Sequence, residues 1–181
     1  MTTTTMPERV RKLVQALNVD FNILAEGYAK YRLLLDGGFI DTRTMYSLIW
    51  ADNDITLDKE VEDKIVAEDL ASFTYRNEST LAYMRSLKSQ GYKIGILTNM
   101  SLEFAKMFRQ YFPDFIELAD AMVISGEERM FKPQRRIYDL LQKRIALKGE
   151  EILFIDDVEK NCEGARKAGW RAYRYLREQP L

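Results

Sequence analysis

Histidine is absent from the 181 residues. That excludes a Ser-His-Asp triad, a Cys-His pair, histidine-ligated zinc and the usual base near neutral pH. Acid–base chemistry falls to carboxylates, lysine or tyrosine, and a metal must be a hard, oxygen-liganded one such as Mg²⁺. The single cysteine, Cys162, leaves no disulfide within the chain. With no base near it in sequence, it reads as a small buried thiol and not as a nucleophile. No apolar run is long enough to cross a bilayer, and the first residues lack the charged-then-apolar layout of a secretory signal. Lysine and arginine number 27 against 28 acidic residues, so there is no basic footprint for nucleic acid or a membrane surface. These absences lead to the expectation of a cytoplasmic protein with no nucleic-acid or membrane partner.

What is present is enough apolar material, 46% of residues, for one large domain or a core with an appendage. Two patterns divide the chain. From residue 7 to about 90 the apolar spacing is helical. Pro7 suits a first helical turn, followed by Val10, Leu13, Val14 and Leu17 on one face. Asp20 caps a second helix carrying Phe21, Leu24, Tyr28, Tyr31 and Leu35, which stops at Gly37 and Gly38. Asp41 opens a third, with Met45, Leu48 and Ile49. A fourth follows Thr56, with Leu57, Val61, Ile65 and Leu70. Asn77 caps a fifth, closed by Gly91. Tyr28, Tyr31 and Arg32 are candidates to line a substrate pocket, although residues of this kind are more often plain core or helix face.

Beyond residue 90 short apolar runs alternate with helices. The strands are "YKIGILTN", "DAMVIS", "EILFID" and "RAYRYL". Between them lie "SLEFAKMFRQYF", with Phe104, Phe108 and Tyr111 on one face, a helix beginning at Pro133, and "KNCEGARKA", ended by Gly169. This alternation predicts a parallel sheet covered by helices. Trp50 and Trp170 read as core, and Phe131 as either packing or a wall beside Lys132. The opening "MTTTTM" reads as an unstructured tail, or as a makeshift strand of β-branched Thr2 to Thr5. The closing "RYLREQPL" reads as a frayed tail.

Ligands of a parallel sheet bind at the carboxyl ends of its strands. Thr98 and Asn99 end the first strand, Lys132 follows the second, and Asp156 and Asp157 end the third. Two adjacent carboxylates closing a buried apolar run need a partner. A phosphate monoester with Mg²⁺ provides one. The Thr98 hydroxyl and the N–H groups after it can hold phosphate oxygens. Lys132 can neutralise the transferring group, and a carboxylate can hold the metal. Neighbouring strand residues face opposite ways. One aspartate is therefore expected to face the metal, and the other to orient Lys132 or cap the next helix.

The ordered set "ILTNM", "FKP" and "FIDDVEKNCEGARKAG" resembles the second to fourth motifs of the haloacid dehalogenase-like (HAD) hydrolases. The match is to the branch with a double Asp in the fourth motif, which includes small sugar-phosphate phosphatases. Response-regulator receivers share a double Asp, a Thr and a Lys-Pro, but in the reverse order along the chain. The resemblance implies an α/β fold, a Rossmann-like parallel-sheet core over 76–181 with a helical cap over 7–75. It implies Mg²⁺-dependent hydrolysis of a small phosphorylated metabolite. On that resemblance Thr98 and Lys132 are catalytic, Thr98, Asn99 and Lys132 bind the phosphoryl group, Asp157 ligates Mg²⁺, and Asp156 supports. Asn161 stands where many relatives carry a further Asp. The family's first motif, an apolar strand ending in the nucleophilic Asp, has no match. Asp20, Asp36 and Asp41 fall at helix ends in the cap, which leaves Asp156 as the fallback nucleophile. The central strand is expected to be absent from the sheet, through truncation or degeneration, with a homo-oligomer as one way to fill the gap. The alternative function is a non-catalytic phosphate-binding or partner-binding module.

Overall fold

The computed structural model describes residues 8–17, 19–72 and 77–176. The expectations for Pro7, for Thr2 to Thr5 and for the last five residues fall outside that set. Among the described residues no helix is long and apolar enough to cross a membrane.

The first part is helical: α1 (Glu8–Ala16), α2 (Phe21–Asp36), α3 (Thr42–Ala51), α4 (Lys59–Ala71) and α5 (Glu78–Ser89). Side-chain caps start three of them. Asp20 accepts from the Asn22 N–H (2.9 Å), Asp41 from Thr44 (2.7 Å) and Asn77 from Thr80 (3.1 Å), each satisfying a donor the helix leaves over. Helices α1 to α4 bury one cluster that includes Val14, Leu24, Leu35, Met45, Ile49, Trp50 and Ile65. Gly27 lets α2 and α3 close up, because a Cβ there would meet the Ile49 side chain at 2.6 Å. Helix α4 begins at Lys59, later than the pattern suggests. Leu57 precedes its N-cap, Asp58, and packs on the cluster from the connecting segment.

The second part is α/β: β1 (Gly95–Thr98), α6 (Leu102–Tyr111), α7 (Pro113–Leu118), β2 (Ala121–Ile124), α8 (Ser125–Glu128), α9 (Arg135–Ile145), β3 (Leu153–Asp156), α10 (Glu159–Lys167) and β4 (Arg171–Arg174). Two details differ from the sequence pattern. Phe104 and Phe108 are buried, but Tyr111 is 49% exposed. The stripe runs instead at the four-residue spacing to Phe112, which meets Phe115 edge-on. Pro133 does not open α9. It lies in a turn closed by the Gln134 N–H on the Phe131 carbonyl (2.8 Å), so the helix begins at Arg135.

The four strands form two parallel pairs, β1 with β2 and β3 with β4. In a parallel ladder alternate residues bond to the neighbour. The Ile94 carbonyl accepts from Ala121, and the Ile152 carbonyl accepts from Arg171. Ile94, Ile96 and Thr98 therefore bond toward β2, and Ile152, Phe154 and Asp156 toward β4. The backbone groups of Gly95 and Leu97, and of Leu153 and Ile155, face the other edges. Leu153 is 57% exposed there. Among the described residues no strand pairs with those edges.

Candidate active site

Lys132 is where the strand ends meet. It is buried, and its Nζ donates to the Leu97 carbonyl (3.1 Å) and to Asp156 Oδ2 (2.6 Å). The ammonium also lies 5.4 Å from the centre of the Phe154 ring, within cation–π range. One lysine thus ties the open edge of β1 to the carboxyl end of β3. Both partners of the ion pair are only 8% exposed, so the pair is sustained by the further bonds around it.

Asp156 supplies those bonds. Its Oδ1 accepts from the Val158 N–H (2.9 Å) and from the Asn161 side-chain amide (3.0 Å). It therefore orients Lys132 and also closes the start of α10, the two roles the sequence offered as alternatives. With both oxygens so engaged, Asp156 is a poor attacking group.

Asn99 grips the backbone of the same lysine. Its Oδ1 accepts from the Lys132 N–H (2.8 Å) and its Nδ2 donates to the Lys132 carbonyl (3.1 Å). Main chain and side chain of Lys132 are thus fixed by different elements. Thr98, at the end of β1, is largely buried, and its hydroxyl has no partner among the described residues. Asp157 is half-buried and makes no side-chain hydrogen bond among them, while its carbonyl accepts from Arg174 Nε (3.3 Å). Thr98, Lys132, Asp156 and Asp157 therefore share one end of the two strand pairs. Tyr28 and Arg32 bond to one another and, through Arg32, to Asp36 at the end of α2, while two other candidates lie apart. The Tyr31 hydroxyl donates to Asp52 on the outer face (2.6 Å). Cys162 is fully buried, and burial pushes its thiol up.

Two neighbours of the strand ends escaped the sequence reading. Ser125 follows β2 directly. Its hydroxyl accepts from the Met100 N–H (2.7 Å) and donates to the Asp36 carbonyl, fastening α2 to the loop after Thr98. Its signal, a serine closing "AMVIS", was in plain view. Asn161 read only as a departure from a family pattern, yet it holds Asp156.

The family model of the haloacid dehalogenase-like hydrolases matches residues 23–169. This chain belongs to that family. A phosphatase of Mycobacterium tuberculosis is 26% identical to it over 142 residues, 78% of this chain and 65% of the relative. The chain thus spans less than two thirds of that protein's length. Among solved structures, a HAD family enzyme of Bacteroides thetaiotaomicron, in complex with magnesium and inorganic phosphate, aligns with a TM-score of 0.71 at 19% identity, over 95% of this chain and 87% of that one. A HAD-like hydrolase of Porphyromonas gingivalis gives 0.71 at 18%, over 95% and 84%. At these identities the structural likeness establishes the fold.

The residues at this end suit a magnesium ion in part. Among the described residues no three His, Cys, Asp or Glu side chains gather as a metal cage. Mg²⁺ does not require one, since it keeps several waters and binds through one or two carboxylates plus substrate phosphate. Asp157, with its carboxylate uncommitted, is a hard ligand of the right kind.

Proposed function

We propose that this HAD-like chain is the greater part of a Mg²⁺-dependent phosphatase acting on a small phosphorylated metabolite. The observation that carries the proposal is Lys132 Nζ, held between the Leu97 carbonyl and Asp156. A buried ammonium aimed by two acceptors is preorganised to stabilise charge on a transferring phosphoryl group. In this reading the Thr98 hydroxyl and the Asn99 backbone N–H hold the phosphate oxygens, the Met100 N–H being taken by Ser125. The Asn99 side chain sets Lys132, and Asp156 supports it. Asp157 would hold Mg²⁺, whose charge would counter that of the phosphate. Residues 7–75 form the cap that selects the substrate above the 76–181 core.

The attacking aspartate is proposed to lie on a strand outside this sequence, seated between the open edges of β1 and β3 with its carboxyl end beside Lys132. A second reading, a phosphate-binding or partner-binding module without turnover, is favoured by the engagement of both Asp156 oxygens, which with Asp157 given to the metal leaves neither strand-end carboxylate to attack. One experiment separates the two. The 181-residue chain is expected to hydrolyse p-nitrophenyl phosphate negligibly. Where the upstream frame encodes an apolar strand ending in Asp, a protein extended by it is expected to do so with Mg²⁺, and Lys132→Ala in it to lose on the order of 10²–10³ in rate. If no upstream frame encodes an apolar strand ending in Asp, the module reading stands.

A further inference from the structure

Ser125 follows β2 directly and is fully buried. Its hydroxyl accepts from the Met100 N–H (2.7 Å) and donates to the Asp36 carbonyl. A hydroxyl has one hydrogen to give and two lone pairs. The Met100 carbonyl, 3.3 Å away, is a second acceptor in reach, and the Gly126 N–H already serves it (3.1 Å). With its hydrogen committed to the end of α2, the Ser125 oxygen turns a lone pair to Met100, and a hydroxyl that donates also accepts more strongly. Both backbone groups of Met100 are thus held by the residues that leave β2. The approach is close: a Cβ on Gly126 would stand 2.7 Å from the Met100 carbonyl oxygen and 2.9 Å from the Leu102 nitrogen.

The residue fixed by this arrangement is Asn99. A peptide unit is planar and trans, so the bond to the Met100 N–H sets the plane that joins Asn99 to Met100. On its other side Asn99 adjoins Thr98, which pairs with Ile124 of β2. By the alternation of that ladder the Asn99 N–H faces away from β2. The Asn99 side chain is bonded twice to the Lys132 main chain. Ladder, lysine loop and Ser125 therefore restrain one residue from three directions.

We infer that Ser125 is a positioning residue of the phosphate site: by holding the Met100 N–H it sets the backbone of Asn99 so that the Asn99 N–H meets a phosphate oxygen. This role rests on the reading of the strand end at Thr98 and Asn99 as the phosphate cradle, and adds to it the side chain that preorganises the cradle. The end of α2 takes part, because the Asp36 carbonyl orients the hydroxyl. Without that hydroxyl the Met100 N–H loses its buried acceptor, a costly state, and the peptide plane is free to turn.

A serine that only supported the fold would act on stability alone. Inorganic phosphate, titrated with Mg²⁺ into the 181-residue chain by calorimetry, separates the two roles. Ser125→Ala is expected to bind it roughly tenfold more weakly, the worth of one misaimed hydrogen bond to an anion. Thr42→Val is the comparison. It removes another tie between the helical part and the core, the Thr42 hydroxyl on Glu103 Oε2 (2.5 Å), and leaves Met100 alone. It is expected to lower the thermal midpoint and to keep the wild-type affinity. An equal loss in both variants overturns the inference, since docking of the helices and not the bond to Met100 would then set the affinity. An unchanged or raised affinity in Ser125→Ala overturns it too; a raised one would mean that Ser125 withholds a phosphate donor. Amide exchange of the wild type tests the same point even if Ser125→Ala fails to fold. The Met100 N–H is expected to be protected before phosphate is added, and the Asn99 N–H only afterwards; the reverse order refutes the role. Phosphate that does not bind the wild type, or binds Lys132→Ala equally well, refutes the phosphate site itself and the role of Ser125 with it.

Discussion

Asp69 is 1% exposed, and its carboxylate accepts from the Tyr46 hydroxyl at 3.1 Å. Burial raises its pKa to about 6, against the pull of Tyr46 and Arg32. Unfolded, the same group titrates near 4. Between those values the folded chain holds a proton that the unfolded chain has lost, so stability falls as pH rises through that window and stays lower above it. Asp69→Asn keeps an acceptor for Tyr46 without the charge. It is expected to raise stability at pH 7.5 by on the order of 2–3 kcal/mol and to change little at pH 4. Urea melts of both proteins at the two pH values check this, and a gain independent of pH would remove the buried charge as its cause. Asp156 behaves oppositely, because its removal strands a cation. Asp156→Ala is expected to cost about 3–5 kcal/mol, and a loss under 1 kcal/mol in the same melts would show that Lys132 finds another partner. The residues at the strand ends were legible because an apolar run ending in polar groups is conspicuous. Asn161 was not, since an asparagine within a helix has an ordinary explanation and only its bond to Asp156 distinguishes it.

The elements that sequence placed best are those with two independent signals, period and cap. Asp20, Asp41 and Asn77 open helices whose apolar spacing is plain. The six-residue α7 and four-residue α8 are too short to repeat an apolar face over two turns, so no periodicity announced them. How helices dock was equally hidden. Gly38, just past α2, has φ +68°, and a Cβ there would run into the carbonyl oxygen of Gly126 at the start of α8. Gly91 has φ +84° with nothing within 4 Å of a Cβ. Both substitutions to Ala carry the left-handed strain of about 1–2 kcal/mol, but only Gly38→Ala must also push α2 away from the core. Gly38→Ala is therefore expected to lower the thermal midpoint by clearly more than Gly91→Ala. Equal losses would mean that the α2–α8 contact yields without cost.

At the scale of the molecule, parallel sheets are normally buried on both faces and wider than two strands. Two separate parallel pairs with facing functional ends are therefore an unusual way to finish a core. The family and the alternation of strands and helices were readable in the sequence; among the described residues the strands form only the two pairs. Which backbone groups this leaves exposed required the register, Gly95 against Ala121 and Leu153 against Arg171. Amide exchange reads those groups one by one. The N–H groups of Ile96 and Phe154 point into ladders and are expected to be protected. Those of Leu97 and Ile155, one residue on, face the open edges and are expected to exchange on the order of 10²-fold faster, at the rate of locally open structure. In the protein extended upstream, a strand seated between β1 and β3 would bond to both edges, and the alternation should disappear. Uniform protection along β1 and β3 in the 181-residue chain would mean that the edges are already paired, and the place proposed for the nucleophile's strand would be taken.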